Sequence, residues 1–285
     1  MPIIDCHTHI LAPEIIQHRE HYCAQDAWFR CLYENPEARM AGALELLTSM
    51  QDAGIDQSVA FGFAFADLGL CRLGNDYVLQ AASDHPGCIV PFALLNPCSG
   101  DAALREARRC LEEGACGLGE LLPDGQGFAL QDDAILEPLM ELARAFCVPV
   151  LFHVNELVGH HYAGKGCQGP QQAYHLARRY PENILILAHW GAGLPFYELM
   201  PEVRQTLRNV YYDTAASLYL YEDSIFEHVL SWAPDKVLFA TDYPLIAQGR
   251  FVRRIRRLGL DERQYDRLVW ENAQTVLGHR VARGE

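Results

Sequence analysis

The chain opens with the stretch Pro2-Ile3-Ile4-Asp5-Cys6-His7-Thr8-His9, in which an apolar run leads directly into two histidines. Residues i and i+2 of a β-strand project from the same face, so we expect the side chains of His7 and His9 to lie next to each other. Two imidazoles in this arrangement can bind one metal ion. The stretch therefore predicts a first strand that ends in a metal site.

The same arrangement recurs along the chain, where further apolar runs end in a histidine or a carboxylate. These runs end in Glu120, His153, His189 and Asp242. A lone His-x-His pair is a weak signal, because a chain with 12 histidines often contains one by chance. The ordered set, with each member closing a different run, is specific and indicates one shared metal-dependent active site.

Eight short apolar runs alternate with stretches of helical periodicity, which is typical of βα units around a parallel sheet. The runs cover residues 3–7, 57–63, 88–95, 115–121, 148–153, 184–189, 210–213 and 237–241. Eight units predict an α/β fold of the (β/α)8 TIM barrel type. The active site of such a barrel lies at the C-terminal ends of the strands, so we expect the candidate ligands to meet there.

Length and composition predict one enzyme-sized barrel domain over residues 1–285. Half of the residues are hydrophobic, which is enough to bury a large core, and no Gly/Ser-rich or Pro-rich linker divides the chain. Segments 10–40 and 155–170 are expected to form active-site loops. The last stretch, Arg280 to Glu285, is expected to fray.

The charge balance disfavours several classes of partner. With 37 acidic and 23 basic residues the net charge is −14, which opposes binding to nucleic acid and to anionic membranes. No apolar stretch is long enough to span a membrane and no signal peptide is recognisable, so we expect a cytoplasmic protein. The ten cysteines are interpreted as small buried residues of a reducing compartment. A homo-oligomer stays open as an alternative.

One basic cluster stands out from this acidic composition. It consists of Arg250, Arg253, Arg254, Arg256 and Arg257, mostly at the i, i+3, i+4, i+7 spacing of a helix. We interpret it as a solvated helix face that balances nearby acids.

The phrases at the strand ends resemble the amidohydrolase superfamily, and most closely its amidohydrolase-related (amidohydrolase 2) branch. They are Asp5-Cys6-His7-Thr8-His9, His153, Ala188-His189-Trp190-Gly191 and Ala240-Thr241-Asp242-Tyr243-Pro244. The resemblance spans essentially the whole chain and implies a distorted (β/α)8 barrel. The branch contains hydrolases and lactonases as well as nonoxidative decarboxylases and hydratases, so the resemblance specifies the scaffold better than the substrate.

The resemblance also implies a role for each of these residues. His7 and His9 are metal ligands from the first strand, and His153 is a ligand from the fifth. Asp242, on the eighth strand, contacts the metal and its water. His189, on the sixth strand, is a ligand if two metals bind and a nearby proton donor or electrophile if only one binds.

Glu120 bears on the number of metals. A glutamate at the end of the fourth strand resembles the metal-bridging carboxylate of TatD-type hydrolases, whereas the single-metal decarboxylases of the related branch usually have no carboxylate there. Alternatively, Glu120 accepts a hydrogen bond from the N–H of a ligand histidine. The sequence leaves both roles open.

The ligand types indicate the chemistry. Imidazoles and carboxylates suit Zn²⁺, Mn²⁺ or Fe²⁺, and zinc is the first expectation, as one or two ions. A divalent ion lowers the pKa of water, so the leading interpretation is a hydrolase in which activated water attacks a small ester, lactone or amide. Asp242 would be the base, and His189 would stabilise the oxyanion.

Three alternatives remain. The first is a mononuclear nonoxidative decarboxylase or hydratase of a small carboxylic acid, in which His189 and Asp242 handle protons. The second is a TatD-like nuclease, which the acidic composition disfavours. The third is a metal-binding protein without catalytic activity.

Substrate contacts are expected from the two long loops. The candidates are Arg30 in the first loop and His160, His161, Tyr162 and Lys165 in the second. Clustered cationic and aromatic side chains suit a small anionic substrate. The alternative for each residue is packing within its own loop.

Overall fold

Residues 1–278 are described by the computed structural model, and they contain eight β-strands in one sheet. The predicted frayed stretch, Arg280 to Glu285, lies outside the described residues. The strands are β1 (Ile4–His9), β2 (Gln57–Phe61), β3 (Ile89–Ala93), β4 (Gly117–Leu121), β5 (Val150–Phe152), β6 (Leu185–Leu187), β7 (Val210–Asp213) and β8 (Val237–Leu238). Neighbours in the sequence pair in parallel throughout.

The sheet closes on itself because β1 bonds to the segment that follows β8. The backbone N–H of Cys6 donates to Phe239 O (2.8 Å), and that of His9 donates to Tyr243 O (2.7 Å). In the opposite direction Asp242 N donates to His7 O (3.0 Å). The predicted (β/α)8 TIM barrel is therefore confirmed.

Helices connect the strands and cover the outside of the sheet. The longer helices are Ala43–Ala53, Leu68–Asp84, Asp101–Glu112, Asp133–Ala145, Pro170–Arg179, Ser224–Trp232 and Gln248–Ile255. Shorter helices are Pro13–Gln17, Arg19–Gln25, Ala27–Tyr33, Pro123–Gln126, Pro201–Thr206, Ser217–Leu220, Glu262–Asp266 and Asn272–Leu277. None of the helices within residues 1–278 is long and apolar enough to cross a membrane.

Local sequence explains where representative helices begin and end. The helix Ala43–Ala53 ends at Gly54, whose φ of 69° is a left-handed conformation that glycine adopts without steric cost. Asp132 directly precedes the helix Asp133–Ala145. Strands β2, β3 and β4 are buried along their whole length, because helices cover the outer face while side chains fill the interior.

The last strands are shorter than their apolar runs predict. Strands β5, β6 and β8 stop before His153, His189 and Asp242, respectively. At His189 and Asp242 the reason is the backbone, since φ is 55° and 63° and neither value is compatible with an extended strand. The ligand-type side chains therefore lie just beyond the strands, on the turns that leave the barrel.

Candidate active site

A cavity of about 880 Å³ opens at the C-terminal end of the barrel. Its wall includes a residue from the end of five different strands: His9, Glu120, His153, His189 and Asp242. The predicted convergence of these side chains is therefore observed. His7 lies fully buried behind them, with its ring 5.1 Å from that of His9.

The first group of candidate ligands consists of His7, His9 and Asp242. The Nε2 atoms of the two histidines lie 3.2 Å apart. Asp242 Oδ1 lies 3.4 Å from His9 Nε2 and 3.7 Å from His7 Nε2. Three donor atoms this close together can bind one cation and leave coordination positions open, as catalytic metal sites do.

The second group consists of Glu120, His153 and His189. Glu120 Oε1 lies 2.9 Å from His153 Nδ1 and 3.7 Å from His189 Nε2. The same glutamate faces the first group through Oε2, at 3.6 Å from His7 Nε2. Glu120 therefore lies between the two groups.

Three of the histidines present Nε2 to the cavity because their other ring nitrogen is held by a buried acceptor. These contacts join His7 Nδ1 to Asp213 Oδ2 (2.8 Å), His9 Nδ1 to Gly62 O (3.0 Å) and His189 Nδ1 to Ala215 O (3.2 Å). An acceptor at Nδ1 fixes the tautomer that leaves the Nε2 lone pair free to bind a metal.

His153 is oriented differently. Its Nδ1 faces Glu120, while its Nε2 lies 3.0 Å from the side-chain nitrogen of Asn155. Because the Asn155 amide donates to Nε2, the ring proton lies on Nδ1 and is donated to Glu120. This contact matches the second of the two roles considered for Glu120, an acceptor for a histidine N–H.

The electrostatics of the site favour a cation. Burial alone would lower the pKa of His7, but the carboxylates of Glu120 and Asp213 raise it to about 10. Burial would raise the pKa of Asp242, but a hydrogen bond with His9 and the charge of His7 lower it to about 2. Carboxylates that stay ionised among imidazoles are the donor set of a divalent metal site. These residues therefore fit such an ion.

Cys6, which lies between the ligand-type residues in the first strand, does not belong to either group. Its side chain is buried, and burial together with the charges of Asp5 and Asp213 keeps the pKa of its thiol well above the usual value. A thiol in this environment stays protonated. As expected from the alternation along the strand, the candidate ligands are nitrogen and oxygen atoms.

The turn after β6 is fixed by Trp190. Both His189 and Trp190 have positive φ, at 55° and 58°, a conformation that costs about 1 kcal/mol or more per residue outside glycine. The Trp190 ring is fully buried, and its Nε1 donates to Ser217 Oγ (2.7 Å). These contacts hold the strained turn, which aims His189 into the cavity.

The residue before Glu120 must be a glycine. Gly119 has a φ of 113°, and a Cβ at this position would lie 2.2 Å from the carbonyl oxygen of Leu151. Any other residue would clash with β5. The Gly-Glu pair therefore serves to bring the Glu120 carboxylate close to His153.

Two of the five predicted substrate-binding residues, His160 and Tyr162, line the cavity. The others lie elsewhere. Arg30 and His161 are exposed and do not contribute to the cavity wall. Lys165 Nζ donates to Val158 O (2.8 Å) and His160 O (3.0 Å), so it stabilises its own loop. For these three residues the structure favours the alternative of loop packing or surface exposure.

Several cavity residues were not assigned to substrate binding from the sequence. Arg39 and Arg250 line the cavity, together with the aromatic side chains of Trp28, Tyr33, Phe63 and Tyr219. Arg39 lies at the end of the predicted loop 10–40. Arg250 lies in the helix that follows β8, a few residues after Asp242, and the start of such a helix faces the mouth of a TIM barrel. The position of Arg250 at the start of this helix was the sequence feature that could have identified it as a cavity residue.

Asp213 accepts hydrogen bonds from one histidine of each candidate ligand group, His7 and His189. It is fully buried, and Oδ2 accepts from His7 Nδ1 while Oδ1 accepts from the backbone N–H of His189 (2.9 Å).

We expect Asp213→Asn to weaken metal binding by about 10- to 100-fold, because the amide no longer offers two charged acceptors. Titration of the metal-free protein with Mn²⁺ measures the change. Asp101→Asn, on an exposed helix start, is the matched control, and equal affinities in the two variants would contradict the role.

Comparison with known proteins finds decarboxylases that are similar to this chain. Gamma-resorcylate decarboxylase from Polaromonas sp. strain JS666 is 22% identical over 245 residues, which cover 72% of this chain and 75% of the relative. The crystal structure of 5-carboxyvanillate decarboxylase from Sphingomonas paucimobilis superposes with a TM-score of 0.79 at 17% identity, covering 97% and 98% of the two chains.

A third relative contains a metal. Dihydroxybenzoic acid decarboxylase from Polaromonas sp. JS666, solved with bound manganese and the inhibitor 2-nitroresorcinol, has a TM-score of 0.73 at 17% identity. The alignment covers 97% of this chain and 96% of that one. The ion in that relative is manganese, whereas zinc was the first expectation from the sequence.

The predicted hydrolysis of an ester, lactone or amide is wrong. The relatives named here are decarboxylases, which agrees with the alternative interpretation. The error has a physical origin, because the prediction took the candidate metal ligands and Glu120 as signs of hydrolysis, whereas the contact of Glu120 with His153 (2.9 Å) does not select a reaction. The remaining ligand types serve both reactions equally well.

The family of this chain follows from how much of its sequence a family model matches. A family model described as Amidohydrolase matches residues 4–279, nearly the entire chain. It includes all the strands and every residue of the two candidate ligand groups. The chain therefore belongs to the amidohydrolase 2 family of enzymes.

Proposed function

We propose that this protein is a divalent-metal-dependent nonoxidative decarboxylase of a small aromatic carboxylic acid. The observation that carries the proposal is the composition of the cavity at the C-terminal end of the barrel, where the convergent histidines and carboxylates meet a wall of aromatic rings and two arginines. The decarboxylase relatives support the same reaction class. The barrel acts as a single catalytic domain, with segments 10–40 and 155–170 covering its mouth.

The cavity wall suits a flat, anionic substrate. Trp28, Tyr33 and Phe63 offer ring surfaces on one side, and Tyr162 lines the other loop. Aromatic rings pack against one another in offset or edge-to-face arrangements, so a substrate ring gains contacts here that an aliphatic chain would not. Arg39 and Arg250 supply positive charge at the mouth, in a protein with a net charge of −14. Their guanidinium groups match a carboxylate.

The candidate ligands and His189 also suit the chemistry of decarboxylation. A divalent ion bound at His7, His9 and Asp242 would supply positive charge that orients the anionic substrate. The bond between the ring and the carboxylate carbon breaks, its electron pair stays on the ring carbon, and CO₂ leaves. The ring carbon takes one proton, which the pair Asp242 and His189 deliver and regain from solvent. Both side chains line the cavity.

The reaction class is tested by product analysis. We expect the Mn²⁺-loaded protein to release CO₂ from at least one member of a panel of hydroxylated benzoic acids and to form the corresponding phenol, because the cavity pairs aromatic and cationic walls. Mass spectrometry of the products and detection of released CO₂ measure this. Esters and lactones of the same acids serve as the comparison. Turnover of those compounds without CO₂ release would refute the proposal.

We further propose that one ion binds, at His7, His9 and Asp242, and that Glu120 orients His153. The hydrogen bond from His153 to Glu120 and the tautomer set by Asn155 support this role. In this proposal the ligand roles predicted for Glu120, His153 and His189 would apply only if a second ion binds. Manganese is tested beside zinc, because the nitrogen and oxygen donors suit both.

Metal counting separates the two roles of Glu120. We expect about one ion per chain in the wild type and the same number in Glu120→Gln, because the amide oxygen still accepts from His153. Elemental analysis of samples prepared without chelator gives the count, and His9→Ala, which removes a ligand, is the control that loses the ion. A fall from two ions to one in Glu120→Gln would establish bridging instead.

A further inference from the structure

Four arginines share one face of the helix Gln248–Ile255 and the turn that follows it. Arg250, Arg253, Arg254 and Arg257 have the i, i+3, i+4, i+7 spacing that places side chains together on a helix. They line a groove of about 290 Å³, and its other wall residue is Leu218, in the helix that follows β7. We refer to this feature as the arginine groove.

The arginine groove is neutralised by the protein at only one of its four arginines, within the residues that the structure describes. Arg254 forms an ion pair with Asp223 (2.6 Å). Within residues 1–278, no carboxylate lies within ion-pair distance of Arg250, Arg253 or Arg257. Of the five arginines predicted to balance nearby acids, only Arg254 forms an ion pair within the described part of the chain. No acidic residue lines the groove either.

An unbalanced cluster of this kind opposes folding. Like charges at i, i+3 and i, i+4 repel one another on a helix, and a bound anion removes that repulsion. Acidic residues outnumber basic ones by 37 to 23 in the chain, so the local excess of arginine does not follow from the composition. Guanidinium groups that line one groove can form charge-assisted, forked hydrogen bonds with an oxyanion.

We propose that the arginine groove is a binding site for a small oxyanion with two or more negative charges, such as a phosphate monoester or a dicarboxylate. The volume of about 290 Å³ suits a small molecule, and the single apolar wall residue, Leu218, leaves charge as the main means of recognition. A monovalent anion would engage too few of the guanidinium groups to compete with water and salt.

The position of the groove couples it to the cavity. Arg250 lines both of them. An anion in the groove therefore competes with an anionic substrate for the same guanidinium group, so each ligand weakens the binding of the other. This consequence depends on the proposed function, whereas binding to the groove itself does not.

Calorimetric titration of the metal-loaded protein tests the proposal, with inorganic phosphate and succinate as separate probes at about 20 mM salt. We expect at least one probe to bind with a stoichiometry of one, and the identity of that probe distinguishes phosphate from carboxylate recognition. Arg253→Gln/Arg257→Gln removes two unpaired groove residues and is expected to weaken binding by about 100-fold.

Arg256→Gln is the matched control, because Arg256 is exposed on the same turn but does not line the groove. It should change the affinity less than about threefold. If neither phosphate nor succinate binds to the wild type, the proposal is overturned. Retained binding in the double variant, or an equal loss in Arg256→Gln, would also overturn it. Thermal unfolding of each variant verifies the fold, and no step requires catalytic turnover, so failure of the proposed reaction is recognised separately.

Discussion

Replacing Asp242 by Asn is expected to lower the rate of CO₂ release by about three orders of magnitude. Asp242 lies on the cavity wall with Oδ1 3.4 Å from His9 Nε2, where it contacts both the metal position and the space for a substrate. The carboxyl is ionised before the reaction, because His9 and His7 lower its pKa to about 2 against the effect of burial. It must therefore first take the proton that it passes to the ring carbon, from His189 or from water. An amide of the same shape can neither carry this charge nor transfer a proton.

The measurement is kcat at saturating Mn²⁺, so that weakened metal binding does not account for the loss. Metal content and thermal unfolding are determined on the same samples. Asp52→Asn, which changes the same functional group on an exposed helix position, is the matched control and should retain wild-type turnover. Turnover of Asp242→Asn within about tenfold of the wild type would remove Asp242 from proton transfer.

The fold was predictable because the barrel repeats one local pattern. Each strand is a short apolar run followed by a helical stretch, and the ends of parallel strands meet at one side of a sheet. That geometry alone brings His9 and His153 together from positions far apart in the sequence. The strand ends at His189 and Asp242 were less predictable, because positive φ at a non-glycine residue is imposed by tertiary contacts such as those of Trp190.

The reaction was not predictable from the ligand residues. Metal-dependent hydrolases and decarboxylases both need a cation held by imidazoles and a group that moves protons, so His7, His9 and Asp242 fit either reaction. The sequence also left the role of Glu120 open, because the hydrogen-bond partner of a carboxylate is a property of the folded site. Only the structure shows that Glu120 accepts from His153 at 2.9 Å.

Loop residues were predicted least well, because their side-chain directions depend on long-range packing. Arg30 and Arg39 belong to the same predicted loop, yet only Arg39 lines the cavity. Lys165 turns back onto carbonyls of its own loop. A cationic residue near the mouth is therefore a weak sequence signal until the backbone that carries it is known.

Removal of the metal is expected to abolish CO₂ release, and addition of Mn²⁺ is expected to restore it. Without a cation, the carboxylates of Glu120 and Asp242 hold protons on the neighbouring imidazoles, as the raised pKa of His7 indicates. The substrate then meets protonated imidazoles that are already paired with carboxylates, in place of a divalent charge with open coordination positions. The measurement is turnover after dialysis against a chelator and again after stepwise addition of Mn²⁺ or Zn²⁺.

His7→Ala is the variant that links this loss to the predicted ligands. His7 is fully buried, and Asp213 fixes its tautomer, so no solvent-exposed side chain can replace it. We expect the variant to stay inactive at Mn²⁺ concentrations that restore the wild type, since removing one of three ligands weakens binding by about 100-fold or more. His85→Ala, which alters a histidine beyond the end of an outer helix, should be restored normally. Full turnover by the chelated wild type would show that the histidines serve another purpose.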